Sequence, residues 1–283
     1  MTVIEVIQRS AGFLARKGVD SPRLQVELLL AHVLGMPRLQ LYLNFERPLS
    51  PTETDALREL VKRRGQREPL QYLIGQAAFC GFDFKVTPAV LVPRPETEGL
   101  AERAWTWLEQ TGDGPKTALD FGAGSGCLAI TLALKIPTLA VQALDVSPAA
   151  LAVARENAVK HGVQDRVHFV EGEGLGALPT DARFDLLVAN PPYIPSREIA
   201  GLQPEVRDHE PRLALDGGPD GLRFIRELAG AASRMHRGGR LFLEFADGQE
   251  DAAAAIFRGA GWTIEAIEPD LSGTPRILVA CPA

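Results

Sequence analysis

Asn190-Pro191-Pro192-Tyr193 directly follows residues 184–189, a short apolar run that predicts a buried parallel strand. Each proline lacks an N–H donor, so the backbone there offers mainly carbonyl oxygens, and the Asn190 side chain adds an amide oxygen. Two rigid acceptors side by side suit an NH2 group on a planar carbon, over which the ring of Tyr193 could lie flat. A proline-rich strand exit without chemistry would look the same, so this motif alone leaves both interpretations open.

A glycine-rich turn lies about seventy residues upstream, where a predicted strand at 117–121 meets a predicted helix at 127–135. Its sequence is Asp120-Phe121-Gly122-Ala123-Gly124-Ser125-Gly126. The glycines permit positive φ and let a ligand touch the backbone. A dinucleotide fingerprint would need its third glycine at Cys127, so the pattern is instead D-x-G-x-G-x-G. Asp120 would repel a phosphate and attract a cation such as an amino-acid ammonium group, although a purely structural turn stays open.

Two further acids follow the next strands. Asp145 lies nineteen residues after Gly126, the place and spacing at which a carboxylate meets ribose hydroxyls in nucleotide-binding sheets. Its alternative role as a helix cap is weak because Ser147 already precedes the helix that begins at Pro148. Glu173 follows the strand at 167–171 and could accept from an adenine amino group, or it could be a solvated loop acid.

Strands and helices alternate from residue 117 to residue 280, which predicts a parallel sheet with helices on both faces. Asp120, Asp145, Glu173 and Asn190 all come at the carboxyl ends of successive strands, where open α/β sheets bind ligands. A long loop at 195–218 begins just after Asn190, and loops of that length are normally functional. The combination therefore predicts a ligand site at this edge.

The region before the sheet has a different pattern. Residues 1–75 predict a small helical domain, with helices that begin at Ser21-Pro22 and at Ser50-Pro51. Residues 76–94 alternate with period two and predict a β-hairpin linker, so that residues 95–283 form the sheet domain. The third helix carries a basic face that is either solvated or used for docking. That face consists of Arg58, Lys62, Arg63, Arg64 and Arg67.

The charge and composition of the sequence argue against several classes of protein. The 283 residues carry a formal charge of −6, a poor match for a protein whose main partner is a phosphate backbone. We expect no membrane span, because no run of about 18 apolar residues occurs, and no signal peptide. Three scattered cysteines predict neither disulfides nor a metal site and favour a reducing compartment, so we expect a cytoplasmic protein.

The three motifs together resemble class I S-adenosylmethionine-dependent methyltransferases that act on exocyclic or amide nitrogen. Within them, the chain is similar nearly end to end to the release-factor glutamine methyltransferases, the PrmC/HemK family. The resemblance is carried by Pro22-Arg23-Leu24, residues 27–32, residues 69–75, residues 82–98 with Val92-Pro93-Arg94-Pro95-Glu96-Thr97-Glu98, Asn190-Pro191-Pro192-Tyr193, residues 210–218 and Asp220-Gly221-Leu222. Two positions depart from the family: Gly174, where an aromatic residue often stands near the adenine, and Ala246, which replaces a glycine.

The resemblance implies a Rossmann-like, seven-stranded sheet and a reaction that converts S-adenosyl-L-methionine to S-adenosyl-L-homocysteine. The acceptor would be the side-chain nitrogen, N5, of the glutamine in the Gly-Gly-Gln motif of class I peptide chain release factors. Asn190, Pro191 and Tyr193 would be catalytic, with Pro192 and Arg94 on the substrate side. Cofactor-binding residues would be Asp120, Gly122, Ala123, Gly124, Ser125, Gly126, Asp145, Glu173 and Asn190.

Two other functions remain possible from the sequence. The same four-residue motif serves nucleic-acid methyltransferases that act on adenine N6, cytosine N4 or guanine N2, although the net acidity disfavours direct nucleic-acid binding. The other is a non-catalytic protein that binds S-adenosylmethionine. We further expect a monomer in which residues 1–75 recognise the folded protein substrate, because a single glutamine offers too little surface for selectivity.

Overall fold

A computed structural model describes residues 1–112, 114, 116–270 and 272–283 of the chain. The chain divides into two units. The helical unit contains Met1–Gln76 and Gln203–His209, and the sheet unit contains Ala77–Leu202 and Glu210–Ala283. No helix within the described ranges is both long and apolar enough to cross a membrane.

The elements follow the predicted order closely. The helices of the described residues are α1 (Val3–Arg16), α2 (Pro22–Leu34), α3 (Arg38–Leu43), α4 (Pro51–Gly65), α5 (Leu70–Ile74), α6 (Pro95–Gln110), α7 (Cys127–Lys135), α8 (Pro148–Lys160), α9 (Pro204–His209), α10 (Arg223–Ala229) and α11 (Glu250–Gly259). The strands are β1 (Gln76–Phe79), β2 (Phe82–Lys85), β3 (Lys116–Phe121), β4 (Leu139–Asp145), β5 (Val167–Glu171), β6 (Phe184–Ala189), β7 (Met235–Glu244), β8 (Trp262–Pro269) and β9 (Pro275–Pro282).

The helical unit packs α1, α2 and α4 around one apolar core, to which Val3, Ile7 and Leu14 of α1 contribute. Ser50 caps α4 as expected, in a capping box with Glu53. The expected cap at Ser21 is wrong. Its backbone lies in the left-handed region at φ 46° and its side chain makes no capping bond, so α2 starts on Pro22 alone.

Two arginines of the predicted basic face are engaged inside the helical unit. Arg64 is buried, and its Nη2 donates to Glu205 Oε1 of α9 over 2.7 Å. Arg67 donates to both oxygens of the same carboxylate, over 2.6 Å each. Arg64 therefore cannot be the surface contact that the sequence suggested, because its charge is used to hold α9.

The remaining three cations of that face differ in exposure. Arg63 donates to Glu68 over 2.8 Å, and Arg58 forms an ion pair with Asp55 on the surface. Arg58 and Lys62 are exposed. Of the five cations of the predicted face only these two are exposed, and Arg58 is paired with Asp55, so the basic surface is much smaller than the sequence indicated.

We expect Glu205→Gln to destabilise the helical unit by about 3 kcal/mol, because it breaks an ion pair in which the arginine is buried and leaves Arg64 without its carboxylate. Burial raises the pKa of Glu205, but hydrogen bonds from Arg67 and Arg64 outweigh it and leave the pKa below 4.5. This stabilisation is therefore present above about pH 4.5 and is lost as the pH falls through the folded-state pKa. Urea unfolding of wild type at pH 7 and pH 3.5 should show that loss.

The variant should lose less stability than wild type over the same pH range. Glu59→Gln, on the exposed side of α4, is the matched control and should unfold like wild type at both values. Equal stability of Glu205→Gln and wild type at pH 7 would contradict the role given to this carboxylate.

The sheet unit is built on a seven-stranded sheet in the described residues, with the strand order β5-β4-β3-β6-β7-β9-β8. Strands β3 to β7 run parallel, while β9 is antiparallel to both of its neighbours. The predicted α/β sheet is confirmed. The strand order changes direction beside β3, which opens a crevice at the carboxyl ends of β3, β4 and β6.

Both faces of the sheet are covered, which explains the continuous apolar run of β6. Leu186 and Val188 pack in one core with residues of α6, α7 and α8. Leu187 and Ala189 pack on the opposite face with residues of α10 and α11. With no solvated face, β6 needs no polar alternation.

The predicted hairpin forms, but its strands end at Lys85. Its two-residue turn places Cys80 and Gly81 at positive φ, as a tight hairpin requires. At the end of β2, Asn157 of α8 satisfies the backbone of the last residue: its Oδ1 accepts from the Lys85 N–H over 2.7 Å and its Nδ2 donates to the Lys85 carbonyl over 3.0 Å. The hairpin is thus fixed to the sheet unit by a buried side chain.

After the long loop, α10 ends at Ala229 and β7 begins at Met235, before a register shift near Gly239. At that glycine a Cβ would lie 2.8 Å from the Asp185 carbonyl, so only glycine lets the strands approach. The expected loop at 195–218 contains α9 and short 3₁₀ turns.

Candidate functional site

A cavity of about 320 Å³ lies at the carboxyl ends of the parallel strands. Its size is at the lower end of small-molecule sites. The predicted residues that line it are Gly122, Gly124, Asp145, Glu173, Asn190 and Pro192. A wider groove of about 840 Å³ along α6 and β8 contains none of them.

The other predicted residues lie outside this lining. They are Asp120, Ala123, Ser125, Gly126, Pro191, Tyr193 and Arg94. Residues 89–91, Leu213 and Phe224 also line the cavity. Residues 89–91 and Leu213 lie within the segments that carry the family resemblance, residues 82–98 and 210–218, whereas Phe224 lies outside them and had no signal in the sequence.

The glycine-rich turn has the backbone that the sequence predicted. Gly122, Gly124 and Gly126 have φ of 79°, 55° and 79°. Nothing lies within 4 Å of the position that a Cβ would take at Gly122, so this glycine leaves open space in the cavity wall. Gly126 instead packs closely on α8, where a Cβ would lie 3.1 Å from Ala154 Cβ. The Ser125 carbonyl accepts from Asn157 Nδ2 over 2.9 Å, which anchors the turn.

Asp120 does not face the cavity, contrary to expectation. It is fully buried, and its Oδ2 accepts from the Ala129 N–H of α7 over 3.0 Å. Its Oδ1 has no hydrogen-bond partner in the described chain. Burial, reinforced by the charge of Asp145, raises the pKa of Asp120 to about 7. The carboxyl supports the start of α7 beneath the turn, which explains why an acid precedes the glycines.

Asp145 is the last residue of β4, and its carboxylate accepts hydrogen bonds from both the glycine-rich turn and the segment that precedes α8. Its Oδ2 accepts from the Gly124 N–H and its Oδ1 from the Ser147 N–H, each over 2.8 Å. Ser147 caps α8 itself by accepting from Ala150, so Asp145 is not needed as the cap. Burial raises the pKa of Asp145, although hydrogen bonds from the backbone N–H groups of Ser147, Gly124 and Val146 oppose the shift. Each carboxylate oxygen keeps a lone pair for a ligand.

Glu173 and Gly174 form the wall after β5. Glu173 is exposed and pairs with Arg223, which also lines the cavity, over 2.7 Å. Gly174 has φ 65°, and a Cβ there would lie 2.0 Å from Glu227 Oε1. That carboxylate accepts from the Leu175 N–H over 2.9 Å. An aromatic side chain at position 174 is therefore excluded, because the backbone has positive φ and the Glu227 carboxylate occupies the space that its Cβ would need.

Asn190 is held by a buried chain of hydrogen bonds that the sequence did not reveal. Its Nδ2 donates to Thr97 Oγ1 of α6 over 2.8 Å, and that hydroxyl donates to Glu244 Oε2 of β7 over 2.8 Å. The Tyr193 hydroxyl donates to Glu244 Oε1 over 3.3 Å. Asn190 Oδ1 has no hydrogen-bond partner among the described residues. Burial, with the charge of Glu244, raises the pKa of Tyr193, so the phenol stays neutral.

Hydrogen bonds to the end of the long loop hold the segment that follows Asn190. The Ile194 N–H donates to the Leu215 carbonyl over 3.1 Å, and the Gly217 N–H donates to the Ile194 carbonyl over 2.9 Å. At Gly221 a Cβ would lie 2.3 Å from the Tyr193 carbonyl. The glycines of the 215–221 segment thus allow its backbone to approach the backbone of residues 193–194 closely, and this contact fixes the direction in which the chain leaves the two prolines.

Arg94 has a structural partner. Its Nη2 donates to both oxygens of Glu210, over 2.8 and 2.6 Å, and the Glu210 side chain is almost completely buried. Burial raises the pKa of Glu210, while Arg94 opposes the shift. Arg94 therefore holds the long loop and does not line the cavity. In the described part of the chain, no group of three or more His, Cys, Asp or Glu residues could hold a metal ion.

Comparison with known proteins gives matches over both units. The PrmC N-terminal domain matches residues 5–75, and the methyltransferase small domain matches residues 107–202. The release factor glutamine methyltransferase of Geobacter sulfurreducens is 44% identical over 98% of this chain and 95% of its own. That of Chlorobaculum tepidum is 50% identical over 87% of this chain and 86% of its own. A T. thermophilus 16S rRNA methyltransferase solved with AdoMet and guanosine shares the fold, with a TM-score of 0.51, 19% identity and coverage of 74% of this chain and 50% of that one.

Proposed function

Since this chain belongs to the release factor glutamine methyltransferase family, we propose that it methylates the N5 nitrogen of the Gly-Gly-Gln glutamine in class I peptide chain release factors. The observation that carries the proposal is Asn190. Its amide oxygen is left without a partner in the described chain, at the wall of a cavity of about 320 Å³. An acceptor placed there suits the NH2 group of a planar amide.

We propose S-adenosylmethionine as the cofactor, and it supplies an electrophilic methyl group when bound. The residues present fit it: the open space beside Gly122 admits a ligand to the backbone, and Asp145 keeps lone pairs for ribose hydroxyls. Glu173 remains our candidate for the adenine amino group. Asp120 would act indirectly, because its buried Oδ1 lies beneath the turn.

Asn190 Oδ1 and the Pro191 carbonyl would accept the two N–H hydrogens of the substrate amide. An amide nitrogen is a poor nucleophile because its lone pair is delocalised into the carbonyl. Fixing both hydrogens turns that lone pair toward the methyl group and favours pyramidalisation, and placement of this kind is worth up to about 7–11 kcal/mol in model reactions. The proton can leave after transfer, so no strong general base is required. Tyr193 would contribute through its bond to Glu244, since its ring does not line the cavity.

The test is incubation of the full chain with methyl-labelled cofactor and, in separate reactions, a class I release factor, DNA and RNA. We expect label in the release factor alone, at the glutamine, by mass spectrometry of its peptides. Label in DNA or RNA would instead support the nucleic-acid amino-methyltransferase. Cofactor binding without label in any acceptor would support a non-catalytic binding protein.

We propose that the protein works in the cytoplasm as a monomer, without direct contact to nucleic acid. Release factors act in translation, and the formal charge of −6 disfavours a phosphate backbone as partner. The helical unit would recognise the folded release factor, since protein partners commonly bury about 800 Å² per side and a glutamine side chain offers far less.

Charge reversal of the two exposed cations of α4, Arg58→Glu with Lys62→Glu, should raise the KM for intact release factor roughly threefold to tenfold. The reason is slower encounter, so the effect should shrink at high salt. The KM for a short Gly-Gly-Gln peptide should stay unchanged. Arg237→Glu with Arg258→Glu, exposed in the sheet unit, makes the same change in net charge and should leave both values unchanged. Identical KM shifts in the two double variants would mean that net charge, and not this surface, matters.

A further inference from the structure

We propose that Thr97 and Glu244 are positioning residues whose hydrogen bonds set the orientation of the Asn190 side-chain amide, and with it the ability of the site to accept a substrate amide. The inference rests on the proposed methyl transfer to glutamine. It adds a pair of residues that never touch the substrate and that determine which end of the Asn190 amide faces it.

In this series of hydrogen-bonded side chains, every polar group but one has a partner in the described chain. Asn190 Nδ2 reaches Thr97 Oγ1 over 2.8 Å, and Thr97 Oγ1 reaches Glu244 Oε2 over 2.8 Å. Thr97 is 3% exposed and Glu244 is 1% exposed, so water does not offer alternative partners. The unused group is Asn190 Oδ1, at the cavity. A buried network of this kind fixes its members strongly, because each unpaired group would be costly.

The direction of the chain follows from hydrogen counting. The Thr97 hydroxyl carries one hydrogen, and an ionised Glu244 can only accept. Thr97 must therefore donate to Glu244 and can only accept from Asn190. That requirement points the NH2 end of Asn190 at Thr97 and leaves the carbonyl end for the cavity, as an acceptor for the substrate NH2.

Protonation of Glu244 would remove the requirement. A neutral Glu244 donates its O–H to Thr97 Oγ1, which frees the threonine hydrogen to point at Asn190. Asn190 can then also adopt the turned-over orientation, with Oδ1 accepting from Thr97 and the NH2 group facing the cavity. In that orientation two NH2 groups would meet in the site, and a substrate amide would be repelled.

The surroundings of Glu244 place this change near neutral pH. Burial raises its pKa to about 7; the Thr97 hydroxyl, the Arg276 charge on β9 and the Tyr193 hydroxyl act against burial, and the charge of Glu96 on α6 adds to it. The ionised form is the competent one, so methylation should rise with pH through about 7. Burial also raises the pKa of Asp120, beneath the glycine-rich turn, to about 7. Its titration would act on cofactor binding, so the cofactor Kd measured over the same pH range separates it from the titration of Glu244.

The direct test is nuclear magnetic resonance of the full chain without substrate. The side-chain ¹H–¹⁵N signals of Asn190, identified by their loss in Asn190→Ala, should shift between pH 6 and pH 8.5 with a midpoint near 7. In Glu244→Gln, which is neutral throughout, they should not titrate. Signals that stay constant in wild type, or that titrate equally in Glu244→Gln, would overturn the proposal.

Kinetics test the consequence for the reaction. Thr97→Val should lower kcat about 10–100-fold with the cofactor Kd unchanged, because a misplaced acceptor loses near-attack geometry. Thr97→Ser keeps the hydroxyl and should recover most of that loss together with the pH dependence. Thr106→Val, an exposed position on the same helix, is the matched control. Glu244→Gln should run at a reduced rate that no longer rises through pH 7.

The positioning role and the proposed function can be refuted independently of each other. A Thr97→Val variant within twofold of wild type, or a Glu244→Gln variant that retains the wild-type pH profile, would overturn the positioning role. A wild-type protein whose Asn190 signals titrate as expected but which methylates no release factor would support the hydrogen-bond chain and refute the proposed function.

Discussion

Asn190→Ala is expected to slow methylation of a release factor about 10²–10³-fold, the usual cost of removing one preorganised polar contact from a reacting centre. The loss should appear in kcat, because Asn190 orients the amide nitrogen at the moment of transfer. The variant also leaves Thr97 without the donor that it has in wild type, so the buried network loses a member. Single-turnover assays with labelled cofactor measure the rate directly.

Binding of S-adenosylmethionine to Asn190→Ala should remain close to wild type by calorimetry, since other residues form most of the cavity wall. Thermal unfolding of the variant checks that the sheet unit is intact. A variant that keeps more than about half of the wild-type rate would eliminate the acceptor pair formed by Asn190 and Pro191 as the source of catalysis.

Asp145→Asn should weaken S-adenosylmethionine binding about 10–100-fold, because charge-assisted hydrogen bonds of roughly 1.5–3 kcal/mol are lost. The structure adds a second reason. Both oxygens of Asp145 already accept backbone N–H groups, from Gly124 and from Ser147. An asparagine must turn its NH2 group toward one of those donors, so the glycine turn would also lose a support.

Calorimetry measures the affinity of Asp145→Asn. Asp181→Asn on the surface makes the same change in charge and should bind cofactor like wild type. Unchanged affinity in Asp145→Asn would remove this carboxylate from the proposed ribose contact, whereas a loss shared by both variants would reveal a general charge effect.

The sheet was predictable because its signals are local. Alternating strands and helices, and the apolar run of β6, follow from periodicity and from burial on two faces. The glycine turn, Asp145 and Asn190 were found for the same reason, since each directly follows a strand that ends at one edge of the sheet. Their functional roles remain proposals.

The partners behind those residues were not predictable. Thr97 and Glu244 meet although 147 positions separate them, and neither is unusual in its own segment. We expected Asp120 in the cavity, but the side chain of a residue at the end of a strand can point to either face of the sheet. Its carboxylate accepts from a buried N–H of α7, a contact that the sequence does not reveal. Arg64 was assigned to a surface because its acid, Glu205, comes from an unrelated stretch of chain.

During synthesis on a ribosome, the helical unit cannot reach its final form when its first 76 residues emerge, since Gln203–His209 also belongs to it. At roughly 5–20 residues per second, the roughly 130 residues in between take about 6 to 26 seconds. Throughout that interval the carboxylate that pairs with Arg64 and Arg67 does not yet exist. The last helix of this unit is made only after the strand that ends at Ala189, so β3 to β6 of the sheet emerge before the helical unit is complete.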